Sequence, residues 1–445
     1  MTARGAAPPA GYLGRGRLLG YGVGSVGTGV FSAVPGLLLL YYLTDMLGVP
    51  AAVAGVVLVA PKIWDVLLNP LVGAASDREA VRTGRRTRLL MTGALALPVA
   101  FALMFAVPGD VPGAVWAGAA FLLAATAFAC FQVPYVALPT EMSPDRGERT
   151  RIMSWRVVCL TVGILVAGGL APALVELAGG GRAGYAVMGV TIGAIMAAAL
   201  VASTLATRWV PSLPGPRQLG PVAAFRLARG NRPFFVLLAA FVTQALAVAV
   251  MLAGAPYVAA YRLGDDGLTS VMFVCLVGPS MLAVPAWAWL ARVHGPVRCY
   301  LAASIGFCGV AVTLVPTIAA GGLAATLALT ALAGVCYAAL QLLPLSLLPD
   351  TVHADAARTG QAQAGAFTGL WTAGETAGLA LGPGLYALVL ALSGFVSAAT
   401  PVAQSPGALT GLLLGFTALP ALLMLISLPF VLRYGRLTLT RKEAV

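Results

Sequence analysis

The sequence predicts an all-α membrane protein: twelve transmembrane helices in two pseudo-symmetric six-helix bundles. Three observations carry this. Of 445 residues, 60% are hydrophobic and only 9% charged, too few charges to cover a soluble domain of this length. Apolar stretches of about 20 residues recur along the whole chain, each long enough to cross a hydrocarbon core of roughly 30 Å as a helix. Cationic residues fall in every second inter-helix loop, at Arg4–Arg17, Arg78–Arg88, Arg146–Arg156, Arg208–Arg232, Arg292–Arg298, Arg358 and Arg433–Lys442.

Read between turn signals, the apolar runs occupy roughly 19–47, 51–75, 89–107, 114–137, 155–177, 183–206, 233–257, 268–291, 297–318, 322–348, 364–394 and 408–434. Met1 to Pro9 is short, rich in Pro and Ala, and followed by Arg15 and Arg17, so the first run reads as a retained span and not as a cleaved signal. The loops between the basic ones carry little beyond Arg182 and Arg262. This alternation is the positive-inside pattern; it puts both termini in the cytoplasm and calls for an even number of spans. The formal charge of +12 is thereby explained by orientation, without a nucleic-acid partner. Arg far outnumbers Lys and Ala and Gly are abundant, a bias that suggests a GC-rich bacterium and places the chain in its cell membrane.

The basic stretch Arg208 to Arg232 contains Pro211, Pro214, Pro216 and Pro221, so it cannot be one continuous helix. It divides the chain into an N-terminal bundle (1–207), a cytoplasmic linker (208–232) and a C-terminal bundle (233–445). Internal similarity agrees: span four ends Gln132-Val-Pro134 through Leu138-Pro139-Thr-Glu141, and span ten ends Gln341-Leu-Leu-Pro344 through Leu348-Pro349-Asp350. In each half an Arg follows the acid by eight residues, Arg149 after Glu141 and Arg358 after Asp350. Equivalent positions suggest a duplication; helix-end punctuation with surface charge pairing is the plainer reading of the same residues.

Span two carries the most informative residue. Asp65 sits about two turns inside an apolar run, where a carboxylate costs roughly 2.5–3.5 kcal/mol and persists when it faces a bundle interior and meets a cation, a proton or a partner. At i, i+3 or i+4 spacing, Lys62, Asp65, Asn69, Gly73 and Asp77 share one helical stripe. Lys62 can neutralise Asp65, Asn69 can donate or accept, and Pro70 loosens the backbone nearby. The alternatives are a structural ion pair and a substrate or coupling-ion site.

The run Tyr21-Gly-Val-Gly-Ser-Val-Gly27, then Tyr41-Tyr-Leu-Thr-Asp45, then Ile63-Trp-Asp65 with Asn69-Pro70 and Gly73, resembles the glycoside–pentoside–hexuronide cation symporters of the major facilitator superfamily, typified by melibiose permease. The likeness extends over nearly the full chain, through Asn231-Arg-Pro-Phe234 and Leu348-Pro-Asp350. It implies alternating access, with solute and coupling sites between the two bundles. Gly73-x-x-x-Asp77-Arg78 with Gly84-Arg85-Arg86 resembles the superfamily's loop motif, which implies a cytoplasmic latch between the halves in the outward-open state. Glu141, Arg149, Asp350 and Arg358 are grouped with it as gating candidates. The family's carboxylates in spans one, two and four match Gly29, Asp65 and Asn69, and Gln132, so only Asp65 remains charged. Asn69 and Gln132 are neutral oxygen ligands for sodium. Tyr135 or Val136 stands where the family stacks a sugar on Trp, which disfavours a galactoside.

Glu375 in span eleven lies near mid-bilayer, in Leu370-Trp371-Thr-Ala-Gly-Glu375, where the family type has Lys. A desolvated carboxylate suits a group that takes and releases a proton; a protonated Glu bonded within the bundle is the structural reading. Trp371, Gln341 and Arg156 complete the candidates; Arg156, at the start of span five, could reach an anionic group but reads first as an interfacial anchor. Gln244 reads as a helix-to-helix bond or a substrate contact. Six cysteines without metal-ligand spacing read as packing, and no phosphate loop, His cluster or nucleophile triad marks an enzyme. The expectation is therefore a monomeric secondary transporter of a small solute by symport with H⁺ or Na⁺, needing no further cofactor and partnered by the bilayer. Proton-antiport export of a less polar or cationic metabolite is the alternative.

Overall fold

The computed structural model describes residues 13–143, 145–211, 230–359, 364–399 and 402–442. Within them twelve helices are long and apolar enough to cross a membrane, and no strand is present. They are α1 (Arg15–Leu39), α2 (Ala51–Thr83), α3 (Thr87–Phe105), α4 (Gly113–Met142), α5 (Arg151–Leu177), α6 (Gly181–Thr207), α7 (Arg232–Leu263), α8 (Leu268–His294), α9 (Pro296–Ala319), α10 (Leu323–Val352), α11 (Phe367–Leu392) and α12 (Pro406–Leu437). The all-α, twelve-span expectation holds. Several helices outrun their apolar stretches: α2 continues through Asp77 and Arg78 to Thr83. Hydrophobicity marks where the bilayer ends, whereas backbone hydrogen bonds carry a helix on into water until a cap stops it. Gly84, with φ of 68°, is that cap, a left-handed position that favours glycine.

An even number of spans puts both chain ends on one side, here called the terminal face. The opposite, far face carries the connections around Gly48, Gly109, Gly180, Gly264, Gly321 and Gly394. Helices α1 to α6 pack on one another through α1–α5, α1–α6, α2–α4, α3–α4 and α3–α6. Each of these pairings recurs six helices later, as α7–α11, α7–α12, α8–α10, α9–α10 and α9–α12. The repeat glimpsed in the ends of spans four and ten thus extends to the whole packing scheme. Residues 212–229, which include most of the expected linker, lie outside the described residues.

The two sets of six meet through α1–α7, α2–α11 and α5–α8. These contacts cluster toward the far face. A Cβ on Gly384 would stand 2.6 Å from Val59 Cγ2, and one on Gly55 would stand 3.0 Å from Ala387 Cβ. Small residues let α2 and α11 approach this closely without a hydrophobic driving force, as dispersion requires in lipid. The far face is therefore closed.

Candidate functional site

Lys62 and Asp65 lie on the α2 stripe but do not simply neutralise each other. Lys62 Nζ sits 5.9 Å from the Phe31 ring centroid and 5.8 Å from that of Phe121, so α1 and α4 present aromatic faces to the ammonium. Asp65 is 9% exposed, and its Oδ1 is buried without a hydrogen-bond partner from the protein. Its electrostatic neighbours are Lys62, one turn back, and the Asn69 amide, one turn on. A buried oxygen with spare lone pairs and a fixed carboxylate charge is what a proton or a hard cation binds.

A second layer lies nearer the terminal face, on α4 and α5. Tyr135 is fully buried, its ring stacked on Tyr21 at 4.6 Å and on Phe131 at 5.0 Å. Its hydroxyl donates to the Tyr21 carbonyl at 2.7 Å and bonds Ser25 Oγ at 2.8 Å. Both faces of the ring are thus engaged, so in this conformation Tyr135 supports its neighbours and offers no stacking platform. Arg156 Cζ lies 5.9 Å from that ring, and its Nε is buried without a partner. These contacts turn the Arg156 side chain toward α4. The helix carrying it begins at Arg146, capped by the Asp145 carboxylate accepting from the Glu148 amide, so Arg156 falls well inside it and points inward. Gln132 Oε1 is likewise buried and unpartnered. Gly29 admits no ligand at all: a Cβ there would lie 2.6 Å from the Leu160 carbonyl oxygen, because α1 and α5 meet backbone to backbone.

In the second set, Glu375 is half-buried and lines one small pocket with Tyr337, Gln341, Gln244 and Phe241. The pocket's room, about 10 Å³, holds about one water molecule. Gln341 donates to Tyr337 Oη at 3.0 Å. Trp371 stacks on Phe241 at 4.4 Å and is 2% exposed, which makes it a wall of α11 against α7; its Nε1 is unpartnered. Gln244 is a helix tie: Tyr300 donates to its Oε1 at 2.6 Å, and its Nε2 donates to Ser304 and Ser427 at 3.1 and 3.0 Å.

The gating candidates divide at the terminal face. Arg86, buried, donates to Asp77 at 2.8 Å, Glu141 at 3.0 Å and Ser76 at 2.6 Å. It thus ties the end of α2 to the end of α4 within the first set. Asp77 serves that clamp here, while Arg78 and Arg85 are exposed and Gly73 faces Val133 of α4. Arg149 Nε donates to the Asp145 carbonyl at 3.4 Å. Asp350 is exposed, near Tyr434, and the side chain of Arg358 lies outside the described residues. His294 closes α8. All six cysteines are free, four of them buried.

Composition and spacing do not single out a polar cluster at the far face. There, Tyr261 of α7 donates to Asp45 Oδ1, Thr44 donates to Asp45 Oδ2, and Tyr257 bonds Thr44 at 2.6 Å. Reciprocally, Tyr41 donates to Asp266 at 3.3 Å. The one available signal was Tyr41 and Asp45 four residues apart; their partners lie more than two hundred residues away.

A profile described as MFS/sugar transport protein matches residues 20–435. An uncharacterised symporter of Synechocystis sp. is 24% identical over 509 residues, covering 94% of this chain and 93% of that protein. A glucuronide carrier protein homologue of Escherichia coli is 23% identical over 442 residues, covering 96% and 94%. Among solved structures, a bacterial homologue of the human lysosomal transporter Spinster superposes with a TM-score of 0.71 at 13% identity, over 95% of this chain and 98% of that one. With twelve membrane-spanning helices, inward-facing polar side chains and a profile match over nearly its whole length, this chain belongs to the MFS/sugar transport protein family and is a multi-pass secondary transporter of a small solute.

Proposed function

We propose that this transporter couples solute movement to a cation, a proton or sodium, and that Asp65 is the coupling group. In this reading residues 1–207 and 233–445 are two halves that rock about a site near mid-membrane, with 208–232 as their linker. The terminal face is cytoplasmic, as the arginine distribution favours, and the described state is the one open inward. The observation that carries the reading is the buried, unpartnered Oδ1 of Asp65. A carboxylate oxygen that no protein group pairs, set among apolar helices, is a favourable place for a proton or a cation to bind. Gln132 Oε1 and Arg156 Nε, also unfilled, are the groups proposed to meet the solute. Arg156 favours a solute with an anionic or hydroxyl-rich end over the less polar or cationic metabolite of the export alternative. Glu375, in its own pocket, favours a second reading in which a proton moves opposite to the solute.

A thermal-shift screen of the purified protein against sugars, uronates, amino acids and organic cations, with and without sodium and at two pH values, identifies solute and ion together. A solute found this way should accumulate uphill in proteoliposomes under a cation gradient. Accumulation with no gradient of either ion, or its persistence in Asp65→Asn, removes the proposal.

A further inference from the structure

The far-face joint is built from exchanged pairs. Tyr41 and Asp45 stand just beyond the far end of α1, Tyr261 at the far end of α7 with Asp266 just beyond it, and each tyrosine donates to the acid of the other set. Both chain segments pass through a π-helical turn there, Tyr42–Met46 and Ala259–Leu263, wider than an α-turn and often found at functional positions. We propose that this exchange forms a proton-binding site, centred on Asp45, whose occupancy sets how often the far face opens.

Asp45 is 7% exposed and is hydrogen-bonded across the joint by Tyr261, so parting the two sets uncovers it on that side. The groups that face it are Tyr41 beside it, Tyr185 of α6, Tyr257 and Tyr261 of α7, Tyr386 of α11, and the Asp266 carboxylate across the joint. Asp266 in turn faces Asp265 and, from α5, Glu176. The arginines of the far-face loops point elsewhere: Arg182 donates to the carbonyls of Val107 and Pro108, Arg262 to that of Leu409. Closure therefore desolvates a carboxyl next to another acid and gives it only hydroxyl donors.

Burial pushes the Asp45 carboxyl up to about 7, with Asp266 adding to the rise and the Thr44 and Tyr261 hydroxyls opposing it. Asp266 is raised too, by burial and by Asp265. In the open form both acids meet water and return toward the ordinary range near 4. The closed form thus binds the proton more tightly. By linkage, falling pH favours closure and rising pH, through about 7, favours opening.

This inference rests on alternating access between the two faces. Spin labels carried by a non-canonical ketone residue at Gly109 and Ala320, both exposed far-face positions on opposite sets, report the joint in the intact protein in nanodiscs. Pulsed dipolar spectroscopy should resolve a short and a long distance, the long-to-short ratio rising roughly tenfold or more from pH 5 to pH 8. In Asp45→Asn the ratio should stay low and its pH response should shrink to the smaller part that Asp266 supplies. Tyr261→Phe keeps the acid but removes a donor to its ionised form, so its midpoint should move to higher pH, which decides the matter if the first variant does not fold. Two distances whose ratio ignores pH, an Asp45→Asn response equal to wild type, or an unmoved midpoint in Tyr261→Phe overturns the proton site while leaving alternating access intact. A single distance under every condition overturns both.

Discussion

The Asp65–Gln132–Arg156 region of the first set of six helices and the Gln244 tie of the second treat their buried polar atoms differently, although each set also buries unpaired atoms elsewhere, such as Glu148 Oε2 in the first and Trp371 Nε1 in the second. In the second, Gln244 is saturated by Tyr300, Ser304 and Ser427 from α9 and α12. In the first, Asp65 Oδ1, Gln132 Oε1 and Arg156 Nε are buried without partners. The same background of apolar helices therefore hosts a tie in one place and an unfilled site in the other. What separates them is the supply of complementary groups, because an unfilled polar atom in a dry environment costs the full desolvation penalty until something binds it.

The contrast breaks most visibly at Asp65. Asp65→Asn should reduce uphill accumulation by more than about a hundredfold, since removing the carboxylate removes the group that binds the driving ion, while solute exchange at equal concentrations persists. Counterflow lost together with accumulation would instead mark Asp65 as a fold or solute residue. The proton reading sharpens the same point: an imposed pH gradient should drive uptake in sodium-free proteoliposomes, and strict dependence on sodium with the membrane potential clamped sinks it. Next comes the terminal-face clamp. Asp77→Ala removes one charge-assisted bond of Arg86; if that bond differs between end states by about 1.4 kcal/mol, the ratio of open to closed shifts about tenfold. Single-molecule distances across the terminal ends of α2 and α8 should reveal that shift, and an unchanged ratio excludes a gating role for Asp77. Smallest is the tie: Gln244→Leu leaves the Tyr300 hydroxyl unpaired and should cost about 1 kcal/mol of stability, with transport by the folded protein unaltered. A large loss of transport at normal melting temperature would move Gln244 into the site.

The sequence is most legible where a single physical force acts. Twelve apolar runs follow from the thickness of the bilayer, and the helices of the described residues match them to within a few residues over their apolar parts. Legibility ends where partners are distant in the chain. Arg156 reads as an anchor because the apolar run begins beside it, yet the cap at Asp145 starts the helix ten residues earlier. Gly29 reads as a lost ligand, whereas the closeness of the Leu160 carbonyl excludes any side chain. The Tyr–Asp exchange joins segments of ordinary composition, and no periodicity marks a π-turn.

The neutral donors of the far-face joint also make the two ends of the molecule respond differently to ionic strength. Hydroxyl groups bonded to buried carboxyls carry no net charge for salt to screen. Arg86, by contrast, reaches out to an Asp77 side chain that is 48% exposed, a pairing that mobile ions weaken. Raising salt should therefore loosen the terminal end and leave the far end as it was. Ionic strength, quite apart from any coupling ion, then tilts which side of the membrane the empty carrier addresses.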